Sequence, residues 1–375
     1  MNFKTKILII CLLLTWIQPV FADEPQKTLE QRVERLENEK EETDLIDQIS
    51  DRISFSGVIE LDYSYSDDKD TSDKIINQST SDLDIGTVEL GIEAVLNDYF
   101  SASMLLKGEA LDSDPDIFCD EIFVTIQKQD FPVYFVGGKR AQPFGAFESL
   151  FINDPITQDL YEINKTGAAI GFISDTLGLD ISIVAYKGEV LIQRLSNAGY
   201  GFERDNSPGY QATDNVSSYI FNMTISPMDG LFFSAYFDSE PGEGERNTTL
   251  GGSVHWEVAG LIIDGEYIGA LKRENHYTDN IEYKEAAWFG SIGFQVMDTL
   301  IAAVRYENFD DGKKGNQAEH MDHRYSVGAM ITLFEQDTVA CYLLGEYRKT
   351  QFEHEAGAIA DKDCNEFMVR LALEF

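Results

Sequence analysis

From Ile53 onward, apolar and polar residues alternate along most of the chain. In the stretch ISFSGVIELDYSY, Ile59 and Leu61 fall on one face, whereas Glu60 and Asp62 fall on the other. A period of two indicates β-strands with one apolar face, because successive side chains of a strand point to opposite sides. The pattern recurs as far as the final segment EFMVRLALEF, and it predicts about sixteen strands.

The connections between the predicted strands alternate in length. Short links such as ND, PMDG and FEQD alternate with long polar segments at 66–83, 188–216, 309–323 and 349–364. Short turns at one end and long loops at the other are typical of a membrane barrel, and a soluble β-sandwich does not need this asymmetry. The predicted fold class is therefore all-β, a transmembrane antiparallel β-barrel over 51–375, with a soluble β protein as the alternative.

The N-terminal residues follow a different pattern. Two lysines and the apolar run ILIICLLLTWIQPV precede the small residues VFA, which predicts a secretory signal peptide over 1–22. A retained membrane anchor is the alternative, although the run is short for a bilayer span. Residues 28–43 carry Leu and Val at spacings of three and four, so a periplasmic coiled-coil helix is expected within 23–50, with a solvated segment as the alternative.

Composition restricts the function classes. With 66 acidic and 29 basic residues, the chain has a formal net charge of -37 and is expected to repel nucleic acid. The content of 17 Tyr and 24 Phe suits a barrel exterior, and aromatic residues near strand ends would form interfacial girdles or pack in a core, among them Trp256, Trp288 and Tyr236. Export and the barrel pattern predict the outer membrane of a Gram-negative bacterium, with Phe375 as the signal for the barrel assembly machinery.

Cysteine and histidine usage indicates no catalytic or metal centre. Cys119, Cys341 and Cys364 show no C-x-x-C spacing, so unpaired thiols are expected, although one disulfide would join Cys119 and Cys364 if their predicted loops met. His320 and His323 form the sequence HMDH, for which solvated histidines are favoured over a metal site. No serine–histidine pairing indicates an enzyme, and no cofactor is expected.

The polar face of the predicted strands carries charges that a lumen tolerates and a lipid face rejects. Separate acidic and basic stripes would set a transverse field that selects solutes, whereas pairing across strands is the alternative. The predicted lumen charges are Glu60, Asp62, Glu89, Glu93, Asp264, Glu266, Arg305, Arg348 and Arg370, with Lys107, Glu307 and Glu346 on the same face.

The third long connection, about 139–165, mixes apolar and charged residues. Apolar anchors such as Phe144 let a loop pack inside a barrel, and Pro143 and Gly145 permit a sharp inward bend. This pattern predicts a loop that narrows the pore, with a short external helix as the alternative. The candidate residues of this loop are Lys139, Arg140, Pro143, Phe144, Gly145, Glu148, Asp154 and Lys165.

Five stretches together resemble one known family. The segments LEQRVERLE, SDRISFSGVIELD, VELGIEAVLND, DEIFVTI and GKRAQPFGAFESLFINDPIT are similar to the LbtU-type siderophore porins. The resemblance covers nearly all of the mature chain and implies an outer-membrane barrel of about sixteen strands. It also implies uptake of ferric siderophore without the plug domain of a TonB-dependent receptor.

These observations predict a porin-like channel for a small hydrophilic solute, with a ferric siderophore as the leading candidate. A general or ion-selective diffusion porin and a closed, adhesin-like barrel are the alternatives. Outer-membrane lipid, the solute and the assembly machinery are the expected partners, and the coil suggests a homotrimer. A basic side attracting an anionic chelate would consist of Lys139, Arg140, Arg305, Arg348 and Arg370.

Overall fold

A computed structural model describes residues 52–70, 78–112, 116–313, 321–352 and 362–375. The predicted signal peptide, the predicted coiled-coil segment and His320 lie outside these residues. The unit described below is Arg52–Phe375.

The described residues form sixteen strands: β1 (Ile53–Asp70), β2 (Gln78–Asn97), β3 (Phe100–Glu109), β4 (Phe118–Gln127), β5 (Val133–Ala141), β6 (Asn164–Ser174), β7 (Leu179–Lys187), β8 (Val216–Met228), β9 (Leu231–Glu240), β10 (Asn247–Val258), β11 (Leu261–Lys272), β12 (Ala286–Met297), β13 (Leu300–Asp310), β14 (Met321–Gln336), β15 (Val339–Phe352) and β16 (Lys362–Glu374). Each strand pairs antiparallel with its neighbours in sequence, and β1 pairs with β16. The barrel is therefore closed, which confirms the predicted all-β antiparallel barrel and its strand number.

Alternation along each strand separates an apolar outer face from a more polar inner face. On β16, Phe367, Leu371 and Leu373 point outward and are exposed, whereas the intervening Ala372 is buried on the inside. Closure leaves no unpaired sheet edge, so every strand has a hydrogen-bonded neighbour on both sides.

The chain terminus completes the barrel. The backbone N–H of Phe375 donates to Gly57 O at 3.0 Å, and Gly57 N–H donates to Phe375 O at 2.8 Å. The ring of Phe375 fills the space that a side chain at position 57 would need. The last aromatic residue therefore pairs with the first strand of the same barrel.

The two ends of the barrel differ in their connections. Two-residue turns follow β2, β8, β10, β12 and β14, and Gly230 and Gly260 adopt positive φ in two of them. At the opposite end, 142–163 and 188–215 are the longest connections whose residues are all described. This asymmetry agrees with the sequence prediction. Neither helix within the described ranges has the length and apolar character needed to cross a membrane.

The hydrophobic core lies inside the barrel. Two short helices occur in the described residues, α1 (Ile156–Tyr161) between β5 and β6, and α2 (Val190–Asn197) between β7 and β8. Their apolar side chains, including Leu160 and Leu191, form one buried cluster with inward residues of the strands such as Ile268. Side chains of these two connections and inward side chains of the strands thus fill part of the barrel interior.

Candidate pore and constriction loop

The connection 142–163 bends into the barrel immediately after β5. Gln142 is buried, and its Nε2 donates to Lys165 O at 2.6 Å. Phe144 is completely buried, with its ring 5.4 Å from that of Tyr236 in an edge-on arrangement. Gly145 has a φ of 103°, a conformation that side chains disfavour and glycine tolerates. Residues 142–163 are hereafter called the constriction loop.

Carboxylates of the barrel wall hold the constriction loop by its backbone. The N–H groups of three loop residues donate to three strand side chains: Ala146 to Glu266 at 2.7 Å, Asn153 to Glu346 at 2.9 Å and Ile156 to Glu307 at 2.7 Å. Hydrogen bonds with an ionised acceptor are stronger than those between neutral groups. The wall therefore fixes the path of the loop at three positions.

Arg305 supplies the complementary donors. Its guanidinium donates to the carbonyl oxygens of Asn153 at 3.1 Å and Asp154 at 3.3 Å. The same group lies 3.3 Å from Glu307 and 4.6 Å from the ring centroid of Phe151. Glu266, Arg305, Glu307 and Glu346 together are called the loop clasp.

The constriction loop divides the interior into a filled half and an open half. The four side chains of the loop clasp, on β11, β13 and β15, are at most 4% exposed. Inward side chains on β1, β2, β3 and β16 instead keep 15–26% of their surface accessible: Glu60, Asp62, Glu89, Lys107 and Arg370. These five residues define the open half, so called because their side chains stay partly accessible.

Charges in the open half pair across neighbouring strands. Arg370 donates from Nε and Nη2 to both oxygens of Asp62, at 2.8 and 2.7 Å, and from Nη1 to Glu60 at 2.9 Å. Lys107 lies 3.5 Å from Glu89. On the neighbouring β15, Arg348 donates to the carboxylate of Glu366. Acidic and basic groups are thus interleaved around the wall.

The basic residues expected at the start of the loop lie on two different faces. Lys139 belongs to β5 and pairs with Ile122, whose side chain is exposed on the outside, and Lys139 Nζ donates to Cys119 O at 2.9 Å. Arg140 is the next residue, so its side chain points inward. In the strand register it lies opposite Lys165 of β6, whose side chain is on the same face. Among the described residues, no carboxylate forms an ion pair with Arg140 or Lys165.

The remaining predicted site residues are spread over both halves. Asp154 is exposed on the loop and interacts electrostatically with Lys107. Glu93 is exposed on β2 opposite Ser103. Glu148 is exposed on the loop, and Asp264 is buried beneath it.

Two features of the filled half, the inward position of Tyr236 and the helix α2, differ from the sequence expectations. Tyr236, a candidate for the outer girdle, is 1% exposed and donates its hydroxyl to Glu266 inside the barrel. In the sequence LFFSAYFD, Tyr236 is two residues from Asp238 and therefore shares its inward face, which could have predicted this position. Helix α2 lies in a connection that was expected to be polar, and Glu240 accepts hydrogen bonds from Leu191 N at 2.9 Å and Ile192 N at 3.2 Å. The apolar residues of VLIQRL were the signal for this inward packing.

The thiols and His323 form no centre of their own. Cys119 and Cys341 are free thiols, so no disulfide joins Cys119 to Cys364. The Sγ of Cys364 lies 3.5 Å from Ser66 Oγ. His323 belongs to β14 instead of a loop, between two tyrosine rings of the outer face. In the described part of the chain, no group of three or more His, Cys, Asp or Glu residues is arranged to hold a metal ion.

Sequence comparison finds distant relatives in two bacterial species. No protein-family model matches the chain. A UPF0422 protein of Coxiella burnetii is 26% identical over 235 residues, which are 59% of this chain and 48% of that protein. A UPF0422 protein of Legionella pneumophila is 23% identical over 213 residues, which are 51% of this chain and 40% of that protein. The chain spans about half the length of the curated relatives it matches.

Comparison with solved structures identifies the architecture. The anion-selective porin from Comamonas acidovorans and the outer membrane channel DcaP of Acinetobacter baumannii each superpose with a TM-score of 0.60 at 11% identity over 86% of this chain, and over 99% and 97% of theirs. Salmonella typhi OmpF, in complex with daunomycin, superposes with a TM-score of 0.56 at 12% identity, over 86% of this chain and 97% of its own. Identities this low establish the fold alone. The chain folds as a closed sixteen-stranded barrel of the porin type.

Proposed function

We propose that this protein is an outer-membrane channel that passes small hydrophilic solutes along its open half. The observation that carries the proposal is the division of the interior by the constriction loop, which covers the loop clasp but leaves Glu60, Lys107 and Arg370 accessible. A closed structural barrel has no need to keep charged side chains solvated on one side of a buried loop. The porin-type fold, typically non-enzymatic, supports the same proposal.

The leading solute is a ferric siderophore, taken up without a plug domain. The resemblance to LbtU-type porins motivates this assignment, and Arg140 and Lys165 provide the chemistry for an anionic chelate. They are adjacent inward cations at the root of the constriction loop, and neither forms an ion pair in the described part of the chain. Arg305, Arg348 and Arg370 are already engaged by carboxylates, so they contribute less to an anion.

A general or ion-selective diffusion porin is the second candidate. The interleaved charges of the open half favour it, because paired charges produce a weaker transverse field than separate stripes. The similar structure from Comamonas acidovorans is an anion-selective porin. Under this candidate, the channel would conduct ions and ignore a siderophore.

Location and partners follow from the same proposal. The exposed apolar outer face would contact outer-membrane lipid, and Phe375 would be recognised by the barrel assembly machinery. A homotrimer, suggested by the N-terminal coil, is proposed as the assembly; deletion of 28–43 followed by measurement of the molecular mass in detergent tests it.

Single-channel conductance of refolded protein in planar bilayers tests the function. Open channels are expected, with concentration-dependent block by ferric siderophore added to one side. Open channels that ignore the chelate would support the diffusion porin, and absence of conductance would refute the channel itself.

Charge reversal tests the assignment of the basic residues. Arg140→Glu combined with Lys165→Glu is expected to shift the reversal potential toward cations and to weaken the block. Lys139→Glu is the matched control, because its side chain lies on the outer face and should leave both quantities unchanged. Equal effects of both variants would contradict this assignment.

A further inference from the structure

A separate cavity lies behind the constriction loop, in the filled half. It measures about 260 Å³ and is bounded by loop residues 146–148 and by residues of β8–β12, most of them inward-facing. Its lining includes Phe232, the second residue of β9, which follows a short turn. The cavity therefore lies between the constriction loop and the short-turn end of the barrel. Pockets of several hundred Å³ hold drug-sized molecules, so this cavity would accommodate a smaller one.

The charged groups around this cavity are acidic, apart from one histidine. Glu148, Asp264, Glu266 and His255 line it, and no lysine or arginine does. Hydrogen bonds from the loop and from Tyr236 already engage Glu266.

Asp264 is also engaged. It lies 2.6 Å from His255 Nδ1 and accepts from Ser291 Oγ at 3.3 Å. Glu148 is different, because it forms no hydrogen bond or ion pair with any described residue. One carboxylate at this cavity is therefore available to a ligand.

Aromatic rings provide the apolar part of the lining. Phe147, Phe232 and Phe289 all face the cavity. Phe147 has a φ of 55°, which is uncommon for a residue with a side chain, and its ring packs over Gly145. This backbone conformation brings the ring of Phe147 and the adjacent Glu148 to the same cavity. The faces of aromatic rings attract cations, and their area buries an apolar body.

We propose that the cavity binds a small organic ammonium ion with an aromatic or apolar body. Glu148 would form the ion pair with the ammonium group, and the three phenylalanine rings would surround the rest of the molecule. A free carboxylate beside aromatic walls, in a cavity without lysine or arginine, is complementary to this chemical class and repels anions. The proposal does not require the barrel to conduct.

Calorimetry with folded protein in detergent tests the proposal, with 2-phenylethylammonium chloride as the probe. Saturable binding is expected, and Glu148→Gln should weaken it at least tenfold, because a charge-assisted hydrogen bond is replaced by a neutral one. The neutral analogue 2-phenylethanol should also bind at least tenfold more weakly. Glu93→Gln is the matched control, since it removes an exposed inward acid of β2 and should change the affinity less than twofold.

The outcomes distinguish binding at Glu148 from non-specific attraction of a cation by the net negative charge of the chain. Equal weakening by Glu148→Gln and Glu93→Gln would assign binding to the diffuse negative field and overturn the proposal. Equal affinities for the amine and the alcohol, or no saturable binding by protein of native heat-modifiable mobility, would overturn it as well. Conductance is measured independently in bilayers, so failure of the channel proposal and failure of this one are distinguishable.

Discussion

Glu266→Gln tests whether the loop clasp holds the constriction loop in place. In the native protein, this carboxylate accepts hydrogen bonds from Ala146 N at 2.7 Å, from Thr157 Oγ1 at 2.5 Å and from the hydroxyl of Tyr236. Two of these donors belong to the loop and one belongs to β9. Glutamine preserves the shape of the side chain but has a single acceptor oxygen, so its amide nitrogen would face Thr157 Oγ1, and that hydroxyl would have to accept instead of donate.

The size of the effect follows from these contacts. A hydrogen bond to a charged group contributes about 1.5–3 kcal/mol and a neutral one about 0.5–1.5 kcal/mol. The three bonds lose their charge assistance and the one to Thr157 Oγ1 reverses its direction, while the lower desolvation cost of the neutral amide offsets part of this loss. We expect a net loss of about 2 kcal/mol, which raises the population of the released loop about 30-fold, since 1.4 kcal/mol corresponds to a factor of ten.

Hydrogen exchange measured by mass spectrometry on the folded barrel is the appropriate assay. Amides of 144–163 should exchange about 30-fold faster in the variant, whereas amides of the paired strands should not change, because a loss of this size opens one segment and leaves the sheet intact. Bilayer recordings of the same variant should show more frequent transitions between conductance levels. Glu93→Gln, an inward acid with no contact to the loop, serves as the control.

Two results would contradict the holding role of Glu266. Loop exchange within threefold of the native rate would mean that Glu266 does not hold the loop. Equal acceleration in loop and strands would mean that the variant destabilises the whole barrel, and the clasp would then be part of the fold without a specific role in the constriction.

Three further predictions concern the open half, the second loop and the terminus. Arg370→Gln leaves Asp62 without its cation, so the reversal potential should shift toward cation selectivity; a shift toward anions would contradict the interleaved charge arrangement. The hydroxyl of Tyr210 donates to Glu189 at 2.7 Å, and burial followed by this carboxylate raises the pKa of Tyr210 to about 12. The stabilisation of the 188–215 connection by this hydrogen bond is therefore complete below a pH of about 10 and is lost as the pH rises toward 12. Absorbance titration checks the assignment, because Tyr210→Phe should remove one tyrosine from the transition near pH 12. Phe375→Ala should lower the amount of folded barrel in cells while refolding in detergent proceeds; equal loss in both settings would assign Phe375 to barrel stability instead of recognition.

Strand parity and loop composition make much of the architecture predictable from the sequence. The period of two in segments such as EFMVRLALEF is local information, and it determines which side chains point outward in each strand. The apolar residues around Phe144 likewise indicate a connection that packs on protein, and the structure has this residue fully buried. Such patterns need no knowledge of distant residues.

The end of β5 lies farther along the chain than the sequence interpretation placed it. Assigning Lys139 to the loop made it a candidate for the pore, but β5 continues to Ala141 and alternation along it turns Lys139 outward. Arg140, one position later, points inward opposite Lys165. A difference of one residue decides the face, because each step along a strand reverses the direction of the side chain.

The residue pattern along the chain is sufficient to predict the closed β class, the two faces of each strand and an apolar connection after β5. The half of the interior that this connection covers, and the wall residues that bind it, become apparent only in the folded barrel. Glu266 and Ala146 are 120 residues apart in sequence, and Glu346 and Asn153 are 193 apart. Their contact depends on closure of the barrel and on the relative register of sixteen strands, whereas the alternation of side chains depends only on the backbone of each strand.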